Sequence, residues 1–192
     1  MSGDFGPAGL QLVLLRRMAD HQADLVRDAL RELGTDRDAM RRANRHWQAT
    51  LRARGFPQGE RRLWMLLGAP SQQADQRLGD VTCRALRWPV PLWPGLRFEA
   101  LVGPDGRVWN EWLVRAPGAA APPAPATPAA LAPWSHTVEE AARAFPPARP
   151  REGDAPTRWR LVFPGGETGH FTYGLLQYVE PPAGPPVEPP AG

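Results

Sequence analysis

Four histidines, one cysteine and one Ser-His dipeptide are the residues whose types could do chemistry, and their spacing does little to assemble it. His21, His46, His136 and His170 stand far apart, none with a second ligand type at metal spacing, so no metal or cofactor site is expected. Cys83 has no histidine beside it to draw its proton. Ser135 and His136 adjoin at an expected helix start, where neighbouring side chains point in different directions and make no activated pair. Capping is the role expected there, and Glu139 and Glu140 suit the first helical turn through the macrodipole. The glycine-rich run Gly165-Gly166-Glu167-Thr168-Gly169 sits between two strand patterns in a chain without lysine, so it reads as a hairpin turn and not as a phosphate cradle. No catalytic constellation emerges. An enzyme of unknown class ranks third among the readings, kept because sites also assemble from residues remote in sequence.

A basic and aromatic pattern rises above this background. Between Arg41 and Arg62 there are seven arginines against the single acid Glu60, with His46, Trp47 and Trp64 among them. Arg37, Arg41, Arg45 and Arg52 share one face at helical spacing, which is the outline of a nucleic-acid footprint. The competing expectation is that these four arginines pair with acids of the preceding helical stretch, Asp20, Asp24, Asp28 and Glu32, and need no ligand.

The central stretch from Leu96 to Arg115 reads as a β-hairpin closed at Gly103-Pro104-Asp105-Gly106, because Pro104 presets a turn φ and Asp105 can bond its own backbone. A short loop with a glycine bulge predicts the pairs Val102 with Val108, Phe98 with Trp112 and Leu96 with Val114. Leu96, Phe98, Ala100, Val102, Val108, Trp112 and Val114 then form the core face. Arg97, Glu99, Glu111 and Arg115 fall on the other face with Leu101, Trp109 and Leu113. These last three are apolar residues the register leaves in water, and they are the candidate protein-interaction residues.

Composition bounds the rest. All 23 basic residues are arginine, and isoleucine is absent too, a bias expected of a G+C-rich bacterial genome. That bias also discounts the arginine signal. Residues 1–116 carry 18 Arg against 13 acids, a net +5, and residues 117–192 carry 5 Arg against 7 acids, a net −2. A lone cysteine allows no internal disulfide, and no run of about 18 apolar residues is present, so a reducing cytoplasm and no membrane are expected.

Apolar residues at spacings of three and four predict a helix from Pro7 to Leu33. Gly34 ends it, Thr35 and Asp38 begin a second helix, and Gly55 and Pro57 stop that one, giving an antiparallel helical hairpin. Gly59 to Leu67 is a short third helix. Ser71 to Leu78 reads as a polar connection, Asp80 to Trp88 as a strand beside the central hairpin, and Trp88 to Pro94 as an extended connector. A short helix ends at Phe145, a Pro/Arg/Glu-rich loop runs to Pro156, and a last hairpin pairs Arg158–Phe163 with Phe171–Val179.

The expected class is therefore α+β: a helical hairpin on a small antiparallel sheet built from hairpins. Residues 1–116 form the main domain, 117–133 an Ala/Pro-rich linker, 134–180 a helix and hairpin packed on the same sheet, and 181–192 a disordered tail. The leading functional reading is a non-catalytic protein-interaction or assembly module, binding a protein partner or a second copy of itself. A nucleic-acid-binding accessory protein is the alternative.

Overall fold

The computed structural model describes residues 5–182, so the tail expected over 181–192 lies outside the described residues from 183 onward. The class is α+β. Four helices, α1 (Gly6–Met18), α2 (Ala23–Glu32), α3 (Arg37–Arg52) and α4 (Glu60–Leu67), precede four strands, β1 (Gln72–Leu78), β2 (Val81–Pro89), β3 (Leu96–Val102) and β4 (Val108–Arg115). After a long connection come α5 (Val138–Ala144) and β5 (Arg149–Glu152), β6 (Arg158–Val162), β7 (Thr168–Thr172) and β8 (Leu175–Glu180). Each set of strands makes its own antiparallel meander, β1-β2-β3-β4 and β5-β6-β7-β8, so there are two four-stranded sheets where one was expected.

The helices cover one face of the first sheet. Leu10, Leu14 and Met18 of α1, Met40 and Trp47 of α3, and Leu63 of α4 pack on Leu86, Trp88, Phe98, Ala100 and Val102. Tyr173 and Leu175 of the second sheet enter the same core. A smaller core of Leu131, Ala141, Leu161, Phe163, Phe171 and Leu176 lies under the second sheet.

The single helix expected from Pro7 to Leu33 breaks after Met18, whose carbonyl accepts from the backbone N–H of both His21 and Gln22. The cause is tertiary: Arg158 donates to Asp20 at 3.0 Å, and the Gln22 amide reaches the Gln177 carbonyl, so the polar turn is held by the second sheet. Asp36, and not Thr35, caps α3, accepting from Ala39 N at 2.7 Å. Strand β1 occupies the stretch expected as a connection. Its side chains are almost all exposed, so it has no alternation to read and is held by its ladder with β2 across the two-residue turn Gly79-Asp80. Trp88 lies in β2, as the expected strand had it, and β2 runs one residue further into the expected connector, to Pro89. Strand β5 holds Pro150 at a sheet edge, where a missing N–H is tolerated. The return strand expected as one piece turns at Tyr173-Gly174 and becomes β7 and β8.

The register of the central hairpin departs from expectation midway. Val102 pairs with Val108 as expected, and Gly103 N donates to the Arg107 carbonyl at 2.9 Å. The next pair is Leu101 with Asn110, so Trp109 is the extra residue of a bulge. Because side chains alternate along a strand, one extra residue exchanges the two faces of β4 beyond it. Phe98 therefore faces Leu113, and Glu99 faces Trp112. Leu113 is buried in the core, whereas Trp112 turns to the opposite face and packs against Trp159 at 6.2 Å between rings.

Candidate functional site

The bulge at Trp109 builds a place where buried charge, a cleft and exposed apolar groups coincide. By exchanging the faces of β4 it turns Glu111 inward, opposite Ala100, towards the helical layer. There it meets Arg62 of α4, which is 5% exposed and donates from Nη2 to Glu111 Oε1. Arg62 reaches this depth because it lies four residues before Leu66 on the buried side of α4, beside Leu63 and Leu67. Its guanidinium also stacks over the indole of Trp47, 4.7 Å from the ring centroid. Burial pushes the Glu111 carboxyl above its usual range, against the pull of Arg62. Burial, with the nearby Glu111 charge, likewise holds the Tyr173 phenol above its ordinary value.

One donor nitrogen of Arg62, Nη1, is buried without a hydrogen-bond partner in the structure. Arg62 lines a cleft of about 380 Å³ with Leu51, Arg107, Trp109, Asn110 and Thr157. Three parts of the chain shape this cleft: the α3–α4 connection, the β3–β4 turn and the loop before β6. Gly59 joins the first two. Its φ is +61°, and a Cβ there would lie 2.5 Å from the Gly106 carbonyl oxygen, so only glycine lets α4 start this close to the hairpin. The third part is tied in by Tyr173 N, which donates to the Thr157 carbonyl at 2.7 Å, while Leu113 N donates to the Tyr173 carbonyl at 2.7 Å. At the rim, the Trp109 indole lies against Gly103, where an added Cβ would stand 2.4 Å from the ring.

The three candidate interaction residues do not stay together. Trp109 is 48% exposed and lines the cleft. Leu101 is 3% exposed in a small cluster with Cys83 and Ala85, and Leu113 is 2% exposed in the main core, so neither is at the surface. The bulge is what turns Leu113 into the core. Leu101 keeps its expected face, but that face is covered at this point.

Arg37, Arg41, Arg45 and Arg52 of α3 are all exposed, and the acids expected to pair with them do not. Asp24 pairs with Arg27, Asp28 with Arg27 and Arg31, and Asp20 with Arg16 and Arg158. Arg41 pairs with Asp38 of its own helix at 3.0 Å. Among the described residues Arg37, Arg45 and Arg52 make no ion pair.

Two further polar clusters involve residues named above. Glu99, 3% exposed, accepts from Arg87 Nε at 2.7 Å and from Trp112 Nε1 at 2.9 Å, which satisfies it within the fold. Ser135 Oγ lies 2.7 Å from His136 Nδ1, a contact the sequence argued against. The reason is that Thr137 caps α5, leaving both residues in the turn before the helix, where adjacent side chains can converge. Ser135 Oγ also donates to the Ala132 carbonyl at 2.5 Å, and His136 is buried, so the pair fastens this turn.

Of the site residues, sequence reasoning passed over Arg62 and Glu111. The signal for Arg62 was a charge on the apolar side of a Leu-rich helix. Nothing local announced the bulge that brings Glu111 to it. No family model, no curated protein and no solved structure matches this chain.

Proposed function

We propose that this chain is a non-catalytic protein-interaction or assembly module that docks its partner on the rim of the Arg62 cleft. The observation that carries the reading is Trp109, held out of the sheet by its own bulge with 48% of its surface in solvent, beside Leu51 at 42%. An aromatic ring fixed against the hairpin turn loses little freedom on binding, and aromatic and arginine side chains are what interface centres are enriched in. A photo-cross-linking residue placed at 109 tests it in intact cells. One discrete adduct, absent when the same residue is placed at exposed Asp24, is the expected result; equal labelling from both positions overturns the reading.

A second reading has its own observation. The exposed arginines Arg37, Arg45 and Arg52 on α3 have no ion-pair partner among the described residues, which leaves them free to meet phosphates.

A further inference from the structure

We propose that the Arg62 cleft is a receptor for a carboxylate: an acidic side chain of the docked partner, flanked by an apolar residue, enters it and accepts from Arg62 Nη1. The inference rests on the docking reading above and names the chemistry of what docks there.

A buried guanidinium N–H with no acceptor is costly to keep, because it has given up water and gained nothing in exchange. In Arg62 the cost is confined to one nitrogen. Nη2 serves Glu111, the guanidinium plane rests on Trp47, and Nη1 is left without a partner in a side chain that lines the cleft. An oxygen acceptor arriving through the cleft removes that deficit, and charge-assisted bonds of this kind are the strong ones. Asn110, Thr157 and Arg107 line the same space, the last with its side chain 84% exposed and its Nε 3.6 Å from Asp105 Oδ2.

The charge of the incoming group follows from Glu111. Its carboxylate already sits on Arg62, so a phosphate dianion would face a like charge at close range in a poorly screened site, whereas a carboxylate brings one negative charge to meet the exposed cation of Arg107. The walls set the rest. Leu51, Val108 and Trp109 offer an apolar surface immediately beside the polar floor, which suits an apolar residue next to the acid.

The test uses the full chain and two probes, the N-acetylated, C-amidated tetrapeptides Phe-Leu-Glu-Leu and Phe-Leu-Gln-Leu. Binding is followed by NMR through the Trp109 indole N–H and the Arg62 Nε–H signals. The glutamate peptide is expected to shift both signals and to bind at least tenfold more tightly than the glutamine peptide. Arg62→Gln should abolish that difference. Glu111→Gln, which keeps an acceptor for Nη2 but removes the like charge, should tighten the glutamate peptide severalfold, and it keeps the test decisive if Arg62→Gln fails to fold. Equal binding of the two peptides, or no tightening in Glu111→Gln, overturns the carboxylate assignment. If that happens while residue 109 still cross-links, docking stands and its chemistry is wrong. If the glutamate peptide binds as expected while residue 109 gives no specific adduct, the site stands and the docking reading falls.

Discussion

Leu113 stands directly across from Phe98 on the neighbouring strand, and both side chains are buried, at 2% and 0% exposure. That pairing exists only because Trp109 is an extra residue in β4. Without the bulge, Trp112 would hold this place and Glu111 would face away from Arg62, so the packing of the core and the chemistry of the cleft depend on the same irregularity.

The register has a direct stability signature. Leu113→Ala removes a buried side chain from a packed core and should cost about 2 to 5 kcal/mol, whereas Val114→Ala, on the partly exposed face, should cost about 1 kcal/mol or less. Urea unfolding of the two variants measures this. A larger loss for Val114→Ala would restore the unbulged register.

Stability should fall as the solution is acidified below neutrality. Burial, reinforced by Arg158, holds His21 below its ordinary 6.5, and burial holds His136 below the same value. In both, the unfolded chain takes up the proton first, so the stabilisation is complete above pH 6.5 and is lost progressively as pH drops beneath it. Glu111 acts with the opposite sign: its raised carboxyl favours the folded state below 4.5, an advantage lost as pH rises through its folded value. Unfolding midpoints at pH 7.5 and 5.5 should therefore differ in the wild type, and the double variant His21→Gln, His136→Gln should lose most of that difference. An unchanged difference would assign the acid sensitivity to other groups.

The exposed arginines of α3 distinguish the two functional readings. If the module acts by protein docking alone, replacing Arg45 and Arg52 by Gln leaves any weak oligonucleotide binding and its salt dependence unchanged, and alters stability by only tenths of a kcal/mol. If they meet phosphates, the double variant should flatten the slope of log K against log salt by about two units, since each neutralised phosphate releases condensed counterion. Fluorescence anisotropy with a labelled oligonucleotide at several salt concentrations reads the slope.

Much of the architecture follows from local sequence. The apolar periodicity of α3, with Met40 and Trp47 on one side, identifies a helix, and Gly103-Pro104-Asp105-Gly106 specifies the β3–β4 turn, because these signals act over one or two turns of chain and need no distant partner. The even-numbered face of β3, Leu96, Phe98, Ala100 and Val102, is buried as its alternation implies. What the sequence could not determine depended on contacts between distant residues. The break after Met18 is fixed by Arg158 and Gln177, residues from the far end of the chain. Strand β1 carries no burial pattern because backbone pairing with β2 alone holds it at the sheet edge. The pairing of Arg62 with Glu111 needed the bulge to exchange the faces of β4, and a one-residue shift leaves the composition and local propensity of a strand unchanged while moving every later side chain to the other side.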